Sequence, residues 1–353
     1  MFNPKYQITD NILSDLAKIA EIKGMVEKST LLPARESFLR KTAFIKMAHT
    51  STSIEGNKLD EYQVKKLAEG KSVQAEEAQI KEVKNYLSAL KKVDALSEKQ
   101  KDLNKVDVLD IHKVVISGLA DPKKTGHIRA GTVYIVNVEP GGREELAYTP
   151  PSAGQVPRLI DELIDWLKKT QAVHPVMRAG LFHYQFVTIH PFTDGNGRVA
   201  RLLTLLHLYQ SGWDFKRALV LEDYYNRDRK KYYEHLQTAD TYKKRENVDL
   251  TAWLEYFVEG FRIEAEKLKD QVIMLSAISP QETGKKLLDR DELKIIDFLT
   301  SVGQLTSDEA VDILKVPKRT AQAKLKRLVE ANVIRRMGKG PASYYVVASE
   351  AKK

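Results

Sequence analysis

The 353-residue chain contains no cysteine. Disulfides, thiolate zinc sites and cysteine nucleophiles are thereby excluded together, and a reducing compartment fits. Long apolar runs are missing as well. No stretch approaches the roughly eighteen uncharged apolar residues of a membrane-spanning helix, so no membrane span is expected. Near the start, Lys5, Asp10, Asp15 and Lys18 interrupt what a secretory signal would need as an unbroken apolar segment. A cytoplasmic location is the simplest expectation. Neither internal repeats nor low-complexity tracts occur. What remains is an ordinary globular composition, 42% hydrophobic and 30% charged, in a chain long enough for two or three packed units. The net charge of +9 allows phosphate-bearing partners without choosing among them.

Apolar residues recur at helical spacing over most of the chain. The pattern predicts helices over 7–28, 35–50, 75–97, 105–119, 155–169, 176–189, 227–236 and 248–275, with another starting near Gly197. The polar segment His49–Ser53 is expected to end the second helix. Residues 121–154 differ, with Pro122, Gly126, Gly131, Pro140, Gly141, Gly142, Pro150, Pro151 and Gly154 crowded together. Within them Thr132–Val136 reads as a short strand, so a β-hairpin excursion from a mainly α body is expected. From Asp291 onward a smaller module begins. Thr306-Ser307-Asp308-Glu309 has the hydroxyl and acidic groups of a helix start. Three helices, then strands at 333–334 and 344–347 around a Gly338–Pro341 turn, match a winged helix-turn-helix. The expected divisions are 1–104, 105–278 and 285–350, with the last boundary between 276 and 290.

One string carries most of the chemistry: His190-Pro191-Phe192-Thr193-Asp194-Gly195-Asn196-Gly197-Arg198, followed by Arg201. Gly195 and Gly197 let backbone N–H groups converge on an oxyanion at a helix N-terminus. Arg198 and Arg201, three apart, share a helix face and suit phosphate oxygens. Asp194 is an oxygen ligand for Mg²⁺ bound together with phosphates. His190 titrates near neutrality and can take a proton from a hydroxyl. Singly, each feature is commonly structural. Within twelve positions they supply a base, an anion cradle, a metal ligand and charge clamps.

This string resembles the Fic family signature, His-Pro-Phe-x-Asp/Glu-Gly-Asn-Gly-Arg-x-x-Arg, at every defining position. The resemblance extends over about residues 5–275. It implies a Fic helical core with a β-hairpin flap, and transfer of AMP from ATP to a Ser, Thr or Tyr hydroxyl of a target protein. On this resemblance His190 is the base, Phe192 anchors the loop and Asp194 holds Mg²⁺. Gly195, Asn196 and Gly197 form the anion hole, Arg198 contacts phosphate and Arg201 clamps the γ-phosphate. Retention of an acid at Asp194 favours ATP over other donors. Self-association is common in the family, so a homo-oligomer is a further expectation.

A second string, Ser51-Thr52-Ser53-Ile54-Glu55-Gly56-Asn57, reads by composition as a polar turn. It is also similar to the family's inhibitory motif, with Ser51, Glu55 and Gly56 in register. A carboxylate on Arg201 would fill the γ-phosphate clamp. The same glutamate supports AMP removal in some relatives. Residues 126–137, with Ile128, Val133, Tyr134 and Ile135, resemble the flap that pairs with an extended target segment. Tyr225, Asn226 and Tyr233 resemble the adenine and ribose surroundings, although tyrosines at helical spacing commonly pack a core. His183 and His207 are expected in the core. In the C-terminal module Lys318, Arg319, Lys324, Lys326, Arg327, Arg335, Arg336 and Lys339 make a basic surface. It suits protein docking or double-stranded DNA through Lys324 and Arg327, and a DNA-binding regulator is the rival reading.

Overall fold

The computed structural model describes residues 2–99, 101–138, 144–277, 289–302, 304–331, 333–338 and 343–348. Pro140, Gly141, Gly142, Lys339, Gly340 and Pro341 lie outside them, as does most of the expected 276–290 boundary. The chain divides into two compact units, residues 1–28 with 43–269, and residues 29–42 with 270–353. Residues 43–104, expected as part of a separate N-terminal region, thus share one unit with the core.

In chain order the helices of the larger unit are α1 (Asp10–Lys28), α2 (Pro33–Ile54, entering from the smaller unit), α3 (Glu61–Ala68), α4 (Glu77–Ser97) and α5 (Lys105–Val115). A two-stranded antiparallel hairpin follows, β1 (Ile135–Val138) with β2 (Glu144–Tyr148). Then come α6 (Val156–Lys169), α7 (Pro175–Ile189), α8 (Asn196–Gln210), α9 (Leu221–Arg227), α10 (Arg229–Leu236), α11 (Tyr242–Arg245) and α12 (Thr251–Ala277), which continues into the smaller unit. The mainly α architecture is as expected. Strand β1 starts three residues later than predicted, and α3, α9 and α11 were not anticipated.

The centre of this unit is α7, whose side chains are buried on every face. A helix apolar all round belongs in a core, and α6, α8 and α11 pack on it. His183 sits in its middle, fully buried. Thr204 donates its hydroxyl to the Ala200 carbonyl, so its oxygen accepts from His183 Nδ1 at 3.1 Å, and Nε2 accepts from the Tyr232 hydroxyl at 2.8 Å. A neutral histidine thereby links α7, α8 and α10. Helix α4 lies against α5 and α8, which brings an N-terminal helix to the centre of the unit.

Helix α2 corrects the sequence reading. It continues through His49–Ser53 to Ile54. The hydroxyls of Thr50 and Thr52 donate to the carbonyls of Lys46 and Ala48, each at 2.8 Å, so these polar side chains are satisfied inside the helix. Thr50, Ser51 and Thr52 are buried, which no surface turn would be.

In the smaller unit, α13 (Arg290–Val302), α14 (Ser307–Leu314) and α15 (Lys318–Glu330) precede the antiparallel pair β3 (Ile334–Met337) and β4 (Tyr344–Val347). Thr306 caps α14 and shares a capping box with Glu309, as its sequence indicates. Ile295, Leu299, Leu314, Leu325, Leu328 and Ile334 form its core. Among the described residues no helix is long and apolar enough to cross a membrane.

Candidate active site

The turn from α7 to α8 holds His190 in the left-handed region, φ 51° and ψ 62°, a conformation uncommon for a residue with a side chain. Arg129 secures it. Its backbone N–H donates to the Pro191 carbonyl at 3.0 Å, and its Nε donates to the His190 carbonyl at 2.8 Å. Nη1 and Nη2 donate to the carbonyls of Gly131 and Pro151. The guanidinium, 5% exposed, is satisfied here by backbone carbonyls from both sides of the hairpin. At His190, Nδ1 lies 3.3 Å from the Val187 carbonyl, an acceptor, so Nδ1 carries the proton and Nε2 keeps a lone pair. Burial lowers the imidazole pKa to about 4 and keeps the ring neutral at physiological pH.

Phe192 is fully buried and lies flat on His112, ring centroids 3.6 Å apart and 1° from parallel. Asn196 closes the loop by accepting from the Phe192 N–H and donating to its carbonyl, both at 2.9 Å. His112, unmarked by any motif, joins two segments. Its Nδ1 accepts from the Gly126 N–H at 3.1 Å, which leaves Nε2 to donate to the Asp194 carbonyl at 3.2 Å. Burial lowers its pKa to about 4, consistent with that neutral tautomer. One ring therefore supports the 190–195 loop and the approach to the hairpin.

Helix α8 begins after Gly195, whose φ of 81° suits glycine. Arg201, 3% exposed, points its fork at the end of α2. Nε donates to Ser51 Oγ at 2.7 Å, and Nη2 donates to the Ser51 carbonyl at 2.9 Å and to Glu55 Oε1 at 2.7 Å. Burial opposes the Arg201 charge, but Glu55, then Tyr232 and Tyr86, outweigh it and shift its pKa upward overall. Glu55 reaches the first turn of α8 because Gly197 has no side chain. A Cβ there would stand 2.5 Å from Glu55 Oε1. The carboxylate therefore occupies the electropositive end of a helix, where phosphate oxygens are also favoured.

Arg198 is held differently. Nη1 donates to Glu82 Oε1 at 2.6 Å, and Nη2 donates to Asp194 Oδ1 at 2.9 Å. The other Glu82 oxygen, Oε2, accepts from Asn57 Nδ2 at 2.8 Å. The Asp194 side chain is 58% exposed, and both of its hydrogen bonds, to Arg198 and the Gly195 N–H, fall on Oδ1. Oδ2 thus stays available to a cation. No cluster of three or more metal-ligating side chains occurs among the described residues. One exposed carboxylate beside a phosphate cradle fits a Mg²⁺ ion held mainly by nucleotide oxygens and water, not by a protein cage.

The remaining expected residues separate. Tyr233 is 38% exposed and close enough to Glu55 and Arg201 that both affect its titration. Asn226 Oδ1 accepts from Arg229 Nε at 2.9 Å, and Arg229 Nη2 donates to Ser53 Oγ at 2.7 Å, which ties α9 and α10 to the end of α2. Tyr225 is a core residue. It is 1% exposed and stacked on Tyr232 at 4.5 Å, so no face of its ring is open to a base. In the hairpin, Ile128, Val133 and Ile135 are half-buried, while Tyr134, Val136 and Leu146 are exposed, with Val136 opposite Leu146. In the smaller unit, Lys324 is paired with Asp289, and Arg327 Nε lies 3.1 Å from buried Glu292. These two cations, expected as DNA contacts, are engaged within their own unit.

Residues 102–208 match the Fic/DOC family. Protein adenylyltransferase fic-1 of Caenorhabditis elegans is 35% identical over 190 residues, 51% of this chain and 34% of that protein. Protein adenylyltransferase Fic of Aedes aegypti is 33% identical over 209 residues, 57% of this chain and 38% of that protein. The chain therefore spans little more than a third of the length of these relatives. A crystal structure of a Fic family protein from Desulfovibrio desulfuricans matches over the whole of both chains, with a TM-score of 0.64 and 27% identity. Residues 102–208, with His190, Asp194, Arg198 and Arg201 on one loop and helix, are therefore a Fic domain.

Proposed function

We propose that the chain transfers AMP from ATP to a Ser, Thr or Tyr hydroxyl of a target protein, and that Glu55 restrains it. One observation carries this reading. A neutral imidazole with a free Nε2 ends α7, immediately before a helix N-terminus whose arginine already holds a carboxylate. Relatives named protein adenylyltransferase support it.

In this reaction His190 Nε2 takes the proton of the target hydroxyl as its oxygen attacks the α-phosphorus. The bond to the β-phosphate bridging oxygen breaks, and pyrophosphate leaves. The N–H groups at the start of α8 stabilise the charge that builds on the phosphates, and Arg201, once free of Glu55, clamps the far end. Asp194 would hold a magnesium ion, which when bound would supply positive charge against the phosphates. Arg129 and His112 keep base and cradle in register. The exposed Tyr134, Val136 and Leu146 offer the hairpin an apolar grip on an extended target segment.

The test uses α-³²P-ATP with Mg²⁺ and Glu55→Gly protein, beside Glu55→Gly/His190→Ala. Label on protein is expected in the first and absent from the second. No label with Glu55→Gly would overturn the reading, as would label that survives loss of His190. Removal of AMP is the second reading, favoured because Glu55 is 26% exposed and only Oε1 bonds Arg201, which leaves Oε2 for a water. Faster loss of label with wild-type protein than with Glu55→Gly would support it.

A further inference from the structure

We propose that Glu82 is a positioning residue for the phosphate and cation end of the site, and that it ties that end to the segment carrying Glu55. The proposal rests on the transferase reading only for what it regulates.

The connection is continuous. Asn57, two residues after Glu55, is 7% exposed and bonds Glu82 Oε2 at 2.8 Å. Asn57 Nδ2 also donates to the Gln79 carbonyl at 3.0 Å, and its Oδ1 accepts from the Leu59 N–H at 3.1 Å. It is fixed on every side. Glu82 Oε1 holds Arg198 Nη1 at 2.6 Å, and Arg198 Nη2 holds Asp194 Oδ1 at 2.9 Å. The side chains of Arg198 and Glu82 are 6% and 15% exposed, so water screens this pair weakly.

Charge explains why the site needs it. Asp194 is the carboxylate suited to a divalent cation, yet Arg198 stands against it. An uncompensated guanidinium there would repel the incoming ion and draw Asp194 away from it. Glu82 supplies the missing negative charge from α4. It also fixes Arg198 Nη1, so that Nη2 meets Asp194 at Oδ1 and leaves Oδ2 to the metal. The arrangement gives the α2 end two lines into the site. Glu55 acts directly on Arg201, and Asn57 acts through Glu82 on Arg198 and Asp194.

The test measures Mn²⁺ binding in the presence of a non-hydrolysable ATP analogue by electron paramagnetic resonance, in the Glu55→Gly background. Glu82→Gln keeps the shape and removes the charge. It is expected to weaken Mn²⁺ binding about tenfold, with a lower melting temperature because Arg198 loses its less exposed carboxylate partner. Asn57→Ala leaves Glu82 charged but unsteadied. A weakening of about threefold is expected, and Glu82→Gln added to it should cost less than in its absence. In the labelling assay Glu82→Gln should raise the half-saturating Mg²⁺ concentration about tenfold. Unchanged Mn²⁺ affinity in Glu82→Gln would overturn the proposal. If Glu82→Gln does not fold, unchanged affinity in Asn57→Ala overturns it. Absence of labelling in the parent would sink the transferase reading alone, because metal affinity is read independently of turnover.

Discussion

The carboxylate of Glu55 stands 2.5 Å from the point where a Cβ on Gly197 would lie. The Glu55 carboxylate and a side chain at the first turn of α8 therefore compete for one small volume. Gly197→Ala should lower the stability of the otherwise unmodified protein by about 1 kcal/mol, because the methyl group crowds Glu55 against Arg201. In Glu55→Gly the closest contact is gone, leaving Arg201 Nη1 at 3.2 Å, and alanine's helix propensity should make the same change neutral or stabilising by up to about 1 kcal/mol. Urea unfolding of the unmodified protein and the three variants reads the sign change. Equal effects in both backgrounds would contradict the geometry.

The pKa of His190 near 4 fixes a pH profile. A base works when unprotonated, so between pH 6 and 8 the labelling rate of Glu55→Gly should not track the titration of this ring. The rate should fall as pH drops through about 4 to 5, provided the fold persists. A midpoint near 6.5 would mean that His190 titrates as an ordinary exposed histidine.

His112 predicts a dependence of stability on pH. Its folded pKa, lowered by burial to about 4, lies below the ordinary value near 6.5. The stabilisation is present above pH 6.5 and is lost as pH falls toward 4, because the unfolded chain takes up the proton first. The effect is on the order of 2–3 kcal/mol. His112→Gln should flatten the slope of unfolding free energy between pH 6.5 and 4.5. An unchanged slope would show that the ring does not need to stay neutral.

Arg129→Lys should reduce labelling by Glu55→Gly about 10- to 100-fold, mainly in kcat, since lysine cannot reach the carbonyls of His190, Gly131 and Pro151 together. Stability should fall by about 2 kcal/mol, as buried carbonyls lose partners. Activity close to the parent's would show that His190 holds its left-handed conformation unaided.

The 190–201 string was legible because its parts are neighbours in sequence, and each residue type declares its chemistry. Glu55 was legible only through the resemblance of the 51–57 string to the family's inhibitory motif, since its partner Arg201 lies 146 residues away. His112, Arg129 and Glu82 were not, since their partners lie 82, 61 and 116 residues away. Nothing local distinguishes Glu82 from the other carboxylates of a charged helix until α4 packs on α8. The end of α2 was misjudged because threonine hydroxyls in a helix can satisfy themselves on preceding carbonyls, a bond that composition does not reveal. Spacing alone does not tell a tyrosine stacked in the core, as Tyr225 is on Tyr232, from one at its rim.

Arg129 bonds only main-chain carbonyls at His190, Gly131 and Pro151, and such acceptors are present whatever side chain a residue carries. The fastening is thus blind to the hairpin's identity. A library randomised at the exposed positions Tyr134, Val136 and Leu146, with Arg129 kept, should retain a seated His190 in most members. On the proposed transferase reading, the hairpin's exposed residues can be rewritten without disturbing the seat of His190.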